Sequence, residues 1–143
     1  SLSGGQDGLL PIDLTAKFAL HAIRGETIRV VGGKQRIERL DVRDAVGGII
    51  AMLRMDPRAW EPVYNLGSGE SWNIVEIAEQ TVSLARERGC PDLSEVVVEP
   101  QNVKLDMGMD NGRIRNATGW APRHDMRDII RSLLDYLTPA KAI

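Results

Sequence analysis

Cationic side chains concentrate in one short stretch of the sequence. Between positions 24 and 43 the chain has a local net charge of +3, although its overall charge is −2. The basic residues are Arg24, Arg29, Lys34, Arg36, Arg39 and Arg43, and the acidic residues are Glu26, Glu38 and Asp41. Arginine donates two parallel hydrogen bonds to phosphate oxygens, which makes the stretch a candidate phosphate-binding surface. The same charges also suit a solvated edge strand that resists aggregation, and the pattern alone favours this second interpretation.

Other residue patterns that carry chemistry are missing or incomplete. His21, Cys90 and His124 lie far apart and show none of the paired spacings of metal ligands, so we expect no metal site. No G-x-S-x-G or Cys/His signature of nucleophilic catalysis occurs. The Gly67-Ser68-Gly69 segment places Trp72 where a dinucleotide-binding G-x-G-x-x-G motif needs its third glycine, and an indole is too large for that close packing. We therefore interpret the segment as a turn between a strand and a helix.

Length, composition and charge restrict the class of protein. The 143 residues suffice for one domain with a core, and the 43% hydrophobic and 27% charged residues are typical of globular proteins. The net charge of −2 excludes a polybasic nucleic-acid binder, and no apolar run approaches the ~18 residues of a membrane span. The single cysteine, Cys90, excludes an internal disulfide and is consistent with a reducing compartment. No secretory leader is visible, and we expect a cytoplasmic protein that binds neither nucleic acid nor membrane.

The first part of the chain predicts a helix followed by two strands. The helix carries Leu10, Leu14, Phe18 and Ala22 on one face, has Pro11 in its first turn and ends at Gly25. Strands are predicted at Thr27 to Val31 and at Ile37 to Val42, with a turn at Gly32-Gly33 between them.

A second helix is predicted to begin near Asp44, whose carboxylate suits the positive end of a helix. Its apolar face consists of Ala45, Val46, Ile49, Ile50 and Leu53. Gly47 and Gly48 each cost roughly 1 kcal/mol relative to alanine inside a helix, so we expect close backbone packing there. Pro62 to Leu66 then predicts a buried strand.

The second half continues the alternation of helices and strands. Asn73 and Glu76 form a capping-box pattern at the start of a helix that ends near Gly89. The apolar face of that helix consists of Ile74, Ile77, Ala78, Thr81 and Ala85. A strand from Glu95 to Glu99, a helix from Asp110 to Thr118 closed by Gly119, and a final helix complete the chain. The final helix carries Met126, Ile129, Ile130, Leu133 and Leu137, and the whole order favours an α/β fold.

Five short motifs follow one another along nearly the whole chain. They are Gln6-Asp7-Gly8-Leu9-Leu10-Pro11, Ile28-Arg29-Val30-Val31-Gly32-Gly33, Val42-Arg43-Asp44-Ala45, Val63-Tyr64-Asn65-Leu66-Gly67-Ser68-Gly69 and Thr118-Gly119-Trp120-Ala121-Pro122. In this order and spacing they resemble the C-terminal part of the NAD-dependent epimerase/dehydratase family, the extended short-chain dehydrogenase/reductases that act on nucleotide sugars.

This resemblance implies an α/β architecture in two parts. In the family an N-terminal Rossmann domain binds NAD(P), and a smaller C-terminal part covers the sugar nucleotide. A few C-terminal segments return to complete the Rossmann sheet, and the segment from Val63 to Gly69 resembles one of them. Residues 1–143 are accordingly expected to be the C-terminal substrate-binding portion, with the Rossmann portion absent.

The residues of the family's hydride chemistry are missing from this chain. The catalytic Tyr-x-x-x-Lys motif has no counterpart, since Ser68 stands four residues after Tyr64 and Ala140 four residues after Tyr136. The resemblance places that tyrosine, an acid/base group, and the glycine-rich NAD(P) loop upstream. We therefore expect that this chain alone is not catalytically competent and binds no cofactor, whereas the parent protein uses NAD or NADP.

The resemblance also suggests where a nucleotide sugar would lie. The base would lie near the backbone of Ile28, Arg29 and Val30, and the diphosphate near Arg36 and Arg39. The family's two phosphate-binding arginines correspond to Ile37 and Gln101 in this sequence, so Arg36 and Arg39 are the nearest cations and binding is expected to be weak. A carbonyl compound without a diphosphate is the alternative substrate.

Two functions from different classes remain open. The leading hypothesis is the substrate-binding portion of an NAD(P)-dependent nucleotide-sugar epimerase or dehydratase, with the missing Rossmann half and a second copy of the chain as partners. The alternative is a stand-alone binding or interaction module that kept the fold and lost the chemistry. A glycine-rich loop and Tyr-x-x-x-Lys encoded upstream would distinguish the enzyme from the module.

Overall fold

Helices alternate with short strands in the computed structural model, which describes residues 2–3 and 13–138. The helices are α1 (Leu14–Arg24), α2 (Val42–Leu53), α3 (Ile74–Glu87), α4 (Gly112–Thr118) and α5 (Met126–Leu137). The strands are β1 (Leu2–Ser3), β2 (Ile28–Val31), β3 (Arg36–Glu38), β4 (Leu40–Asp41), β5 (Ser71–Asn73) and β6 (Val96–Glu99). A short 3-10 helix covers Pro57–Ala59. The α/β class expected from the sequence is confirmed.

The described strands pair in twos. β1 pairs with β4 and β2 with β6, both in parallel, whereas β3 and β5 are antiparallel. In the β2–β6 pair Ile28 lies opposite Val96 and Val30 opposite Val98. Ile28, Val30 and Val96 pack against the core, whereas Val98 is 43% exposed. The pairing of β2 with a strand almost seventy residues later depends on tertiary structure and leaves no trace in local sequence.

The hydrophobic core lies among α1, α3 and α5, which pack on one another. Ala19, Ile77, Ile130 and Leu134 have no exposed surface, and the Phe18 ring is also buried. Phe18, Ile77 and Ile130 belong to the apolar stripes that the sequence predicts for the three helices, whereas Ala19 and Leu134 lie outside the predicted stripes. The apolar faces are the reason the helices form a layer against β2. Among the described residues no helix has the length and apolarity that a membrane crossing requires.

The first helix begins later than its apolar periodicity predicts. Asp13 is its N-cap and accepts hydrogen bonds from the N–H groups of Thr15 and Ala16, so the helix starts at Leu14. Leu10, Pro11 and the motif from Gln6 to Pro11 lie outside the described residues. The predicted C-cap is confirmed, because Gly25 has a φ of 69° and closes the helix.

The predicted strand from Ile37 to Val42 is wrong in its extent. It is divided into β3 and β4 by Arg39, and Val42 is already the first residue of α2. Asp41 causes this change, because its carboxylate accepts the backbone N–H of Arg43 at 2.8 Å and so caps the helix. Asp44 therefore lies in the first turn of α2 and is not the cap.

The predicted strand from Pro62 to Leu66 is also wrong. The segment forms no ladder with any described strand, and Val63 is 61% exposed. Its apolar residues match a buried strand, but within the described residues no strand pairs with it, and a strand forms only against a partner.

The later elements follow the sequence closely. Asn73 and Glu76 form the predicted capping box at the start of α3, and α4 ends at Gly119, which has a φ of 72°. The predicted strand at Glu95 to Glu99 is β6. These predictions succeed because each signal is local to the element that it bounds.

Candidate functional site

β2 presents alternating buried and exposed side chains at the predicted base-binding segment. Ile28 and Val30 are each 1% exposed as whole residues and belong to the core, so within this segment only Arg29 offers accessible surface to a ligand. The Arg29 side chain faces solvent and forms an ion pair with Glu99 on β6, with 3.0 Å between Nη1 and Oε1. Arg29 is thus partly neutralised by a residue that the sequence analysis did not connect with it.

A tight turn joins β2 to β3. Gly32 and Gly33 have φ values of 88° and 82°, which side-chain-bearing residues rarely adopt. The Gln35 side chain donates to the Val31 carbonyl at 2.7 Å and closes the turn. A Cβ atom on Gly33 would lie 2.9 Å from Val98, so the turn also packs closely on β6.

The segment that follows β6 lies along this turn. The Gly32 N–H donates to the Glu99 carbonyl at 2.8 Å. The same segment also binds β3 through both backbone polar groups of Arg36, its N–H and its carbonyl. The Arg36 N–H donates to Leu105 O at 2.8 Å, and its carbonyl accepts from Met107 N–H at 3.0 Å. Gln101 is exposed on this segment. The structure thus brings β2, Arg36 and the segment of Gln101 together.

The Arg36 side chain is exposed but already engaged. Its Nε donates to Ser71 Oγ at 3.1 Å, and Nη2 donates to the Ser71 carbonyl. Both acceptors are neutral, so Arg36 keeps an uncompensated positive charge on the surface.

Arg39 lies in a different environment from Arg36. Its side chain is only 9% exposed, and Nη2 is 2.9 Å from Oδ1 of Asp13, the N-cap of α1. Arg39 lines a cavity of about 200 Å³ that Trp72 and Arg123 also border, and Arg36 does not border it. The two arginines that sequence analysis placed beside one diphosphate therefore contribute to different surroundings.

Arg43 is neutralised by its own helix cap. Its guanidinium donates to both oxygens of Asp41, at 2.8 and 2.7 Å, and these hydrogen bonds lower the pKa of the Asp41 carboxyl. Arg29, Arg39 and Arg43 are each paired with a carboxylate, which leaves Arg36 as the arginine of β2 to β4 with neutral partners. The basic cluster of the sequence is therefore not one continuous cationic surface.

Glu38 is a residue whose position the sequence analysis did not predict. It is 6% exposed and accepts hydrogen bonds from the N–H groups of Gly69, at 3.2 Å, and Met109. Its carboxylate thereby joins β3 to the Gly67-to-Gly69 turn and to the segment before α4. A cavity of about 290 Å³ between these parts is bordered by Glu38 and Asp106 and by no cation. A signal that could have found Glu38 is Gly67, because a Cβ at that position would overlap the Glu38 carboxylate.

Asp44 is a second buried carboxylate with several partners. It is 5% exposed, and Oδ2 accepts the backbone N–H groups of Arg123 and His124 at 3.0 and 2.9 Å. Its Oδ1 lies 3.0 Å from Nδ1 of His124. Asp44 thus fixes the segment before α5 to the first turn of α2. In the part of the chain that the structure describes, no group of His, Cys, Asp and Glu side chains is arranged to hold a metal ion.

Comparisons with known proteins give matches only among solved structures. No protein-family model matches the chain, and no curated protein sequence matches it. RMD from Pseudomonas aeruginosa, solved with NADPH, superposes with a TM-score of 0.76 at 22% identity over 95% of this chain and 44% of that one. UDP-glucose 4-epimerase from Bifidobacterium longum, solved with NAD+ and UDP, gives a TM-score of 0.71 at 19% identity, with coverages of 95% and 44%.

A third structure agrees with these two. UDP-glucuronic acid 4-epimerase from Bacillus cereus, in complex with UDP-glucuronic acid and NAD, gives a TM-score of 0.72 at 15% identity over 95% of this chain and 42% of that one. The chain therefore spans less than half the length of the solved proteins that it matches. It shares the fold of a part of these three proteins.

Proposed function

We propose that residues 1–143 form the substrate-binding portion of an NAD(P)-dependent nucleotide-sugar epimerase or dehydratase located in the cytoplasm. The observation that carries this proposal is the superposition of 95% of the chain on part of enzymes solved with NAD+ and UDP or with NADPH. The five sequence motifs support the same family, because they follow one another along the chain in the family's order.

An exposed apolar face supports the expectation of a missing partner domain. The outer face of α2 carries large apolar side chains that are 39% to 70% exposed. They are Val42, Val46, Ile49, Ile50 and Leu53. Trp60 and Val63, in the segment after α2, are exposed as well. A contiguous apolar surface of this kind is typical of an interface, and we assign it to the NAD(P)-binding domain.

The Pro62-to-Leu66 segment fits the same assignment. It has the sequence of a buried strand but lacks a partner among the described residues. A sheet in the NAD(P)-binding domain would supply the missing ladder of hydrogen bonds and would cover Val63. In this proposal the Pro62-to-Leu66 segment completes the sheet of the NAD(P)-binding domain. The layer of α1, α3 and α5 stays outside that sheet.

The substrate would bind along β2 and the turn after it. The predicted base-binding segment of Ile28, Arg29 and Val30 would contact the base through Arg29, because Ile28 and Val30 are buried, and Arg36 and Gln101 would lie near the phosphates. Arg36 is the cation best placed for this role, because its present partner, Ser71, is neutral and can be exchanged. Arg39 stays a predicted phosphate ligand, but its pair with Asp13 must then be shared.

Hydride transfer in this proposal belongs to the partner domain. NAD(P) would accept the hydride there, and the tyrosine of Tyr-x-x-x-Lys would move the proton. The residues of this chain hold the nucleotide and exclude water from it.

The experiment compares the 143-residue chain with the longer polypeptide encoded by the same reading frame. In calorimetric titrations we expect NADH to bind the longer polypeptide and not the chain alone. UDP-glucose should bind the longer polypeptide, and R36Q should weaken that binding about tenfold, a loss of ~1.4 kcal/mol. R39K should weaken it less, and R58Q, a charge-matched change on the 3-10 helix, should leave it unchanged. If the longer polypeptide binds neither NADH nor NADPH, the proposed enzyme function is refuted and the alternative, a stand-alone binding module, is supported.

A further inference from the structure

Glu38 is a buried acidic residue beside the proposed substrate site. It shares one face of β3 with Arg36, while Ile37 between them packs in the core. Arg36 is exposed on that face, whereas Glu38 is only 6% exposed. Burial of a carboxylate is unfavourable unless its oxygens accept hydrogen bonds, so the partners of Glu38 indicate what its side chain does.

The two carboxylate oxygens of Glu38 bind two different segments. Oε1 accepts the backbone N–H of Gly69 at 3.2 Å, and Oε2 accepts the backbone N–H of Met109. A Cβ on Gly67 would overlap Oε1, so the turn lies directly against the carboxylate. A glutamine could accept only one of the two N–H groups, because its NH₂ group is a donor. Both segments are therefore held only if position 38 is a carboxylate.

The first segment held by Glu38 carries Gln101. Residues 99–109 are bound to β2 and β3 at three places, which are the Gly32 N–H, the backbone of Arg36 and the carboxylate of Glu38. In the proposed function the phosphates lie near Arg36 and Gln101. Glu38 thus fixes one end of the segment that faces Arg36.

The second segment held by Glu38 leads out of the proposed cofactor domain. The Gly67-to-Gly69 turn directly follows Pro62 to Leu66, which we assign to the sheet of the NAD(P)-binding domain. The Asn111 side chain also fixes this turn, because it donates to the Gly67 carbonyl at 2.9 Å. A misplacement of about 1 Å between reacting groups can lower a reaction rate about 10²-fold, so the geometry of this junction bears on the reaction.

We propose that Glu38 is a positioning residue of the nucleotide-sugar site. Its carboxylate fixes residues 99–109 both against Arg36 and against the turn that follows the cofactor-domain segment. The inference rests on the proposed function for the identity of the ligand. Glu38 itself contacts no nucleotide and acts through Arg36 and residues 99–109.

Amide hydrogen exchange of the 143-residue chain, followed by NMR, tests the positioning without a ligand. The Met107 N–H donates to the Arg36 carbonyl, and E38Q should speed its exchange about tenfold or more relative to the core amide of Ile130. D44N is the matched control, because Asp44 is equally buried and also accepts two backbone N–H groups, but in a different loop. D44N should leave the ratio of the two exchange rates unchanged.

Calorimetric titration of the longer polypeptide tests the consequence for binding. E38Q should weaken UDP-glucose binding about tenfold and leave NADH binding unchanged. E38D, which keeps both oxygens on a shorter side chain, should weaken UDP-glucose binding less. The combination of E38Q with R36Q should lose less affinity than the product of the two single losses, because Glu38 acts through Arg36. D44N should change neither affinity.

Two results would overturn the proposal. One is a Met107 exchange ratio in E38Q equal to that of the wild type, and the other is an equal loss of UDP-glucose affinity in E38Q and D44N. If E38Q does not fold by circular dichroism, E38D replaces it, and an E38D variant that matches the wild type in both measurements overturns the proposal. A longer polypeptide without affinity for UDP-glucose would contradict the proposed function, and the exchange ratio would then decide on Glu38 alone.

Discussion

The buried carboxylate of Asp44 holds a residue that lies 80 positions later in the chain. Its Oδ1 is 3.0 Å from Nδ1 of His124, while Oδ2 accepts the backbone N–H groups of Arg123 and His124. Trp120 adds a hydrogen bond from Nε1 to the Asp44 carbonyl at 3.1 Å. One residue in the first turn of α2 therefore fixes the loop that leads into α5, and this loop forms a wall of the cavity of Arg39 and Arg123.

Substitution of Asp44 should be costly for stability. D44A leaves two buried or half-buried backbone N–H groups without their acceptor, and we expect a loss of about 2–4 kcal/mol in the free energy of unfolding. H124Q removes only the side-chain contact and should cost about 1 kcal/mol or less. Urea unfolding of both variants measures the difference. Equal losses would show that the histidine ring, and not the backbone contacts, accounts for the role of Asp44.

The two glycines of α2 should respond differently to substitution. A Cβ on Gly48 would overlap the Leu66 side chain and lie 3.2 Å from Cε2 of Trp120, whereas a Cβ on Gly47 would be 3.5 Å from Nε1 of Trp120, an ordinary contact. We expect G48A to destabilise the fold by about 1–3 kcal/mol. G47A should be neutral or stabilising by up to about 1 kcal/mol, because alanine favours helix. Thermal unfolding tests this, and two variants of equal stability would contradict it.

The glycine pair shows how far the sequence predicts the fold. Glycines in an amphipathic helix indicate close packing, and the structure confirms that packing. The partners, Trp120 and the Leu66 side chain, come from distant segments, and the sequence contains no signal for them. The capping box at Asn73 and the caps at Gly25 and Gly119 were predictable because their hydrogen bonds span only a few residues.

The errors at β4 and at Pro62 to Leu66 have a different origin. Asp41 is the N-cap of α2, so the strand ends there and the helix begins. An aspartate occurs both in strands and at helix caps, and the alternating residues around Asp41 led to the prediction of a longer strand. Pro62 to Leu66 has a strand composition, yet a strand needs a partner that the described chain does not provide. The arginines were predictable as cations, but their neutralisation by Asp13, Asp41 and Glu99 follows from tertiary contacts.

The Asp41–Arg43 pair should make stability depend on pH in the acidic range. Hydrogen bonds from Arg43 hold the pKa of Asp41 below its ordinary value of 3.8. A carboxyl with a lowered folded pKa stabilises the fold above the unfolded pKa, and this stabilisation is lost as the pH falls through the folded pKa. R43Q should therefore lower the free energy of unfolding near neutral pH. It should also make that free energy fall less steeply as the pH drops below the ordinary aspartate pKa.

A second pair provides the matched control for R43Q. Arg88 also lowers the pKa of Asp135, but Asp135 is 67% exposed, so solvent screens the pair. Urea unfolding at a series of acidic pH values should show a smaller effect for R88Q than for R43Q. An equal or larger flattening in R88Q would mean that the buried position of Asp41 does not strengthen its pair.

The apolar face of α2 should cause the 143-residue chain to self-associate when its proposed partner domain is absent. Val42, Val46, Ile49, Ile50 and Leu53 follow helical spacing and form one stripe. Covering one leucine contributes roughly 1.5–3 kcal/mol, so L53E should raise the dissociation constant of the assembly by about tenfold or more. L93E is the control, because Leu93 is 74% exposed and lies outside the stripe. Light scattering over a range of concentrations measures both variants. A wild-type chain that stays monomeric at high concentration, or equal effects of the two substitutions, would show that the stripe is not an interface.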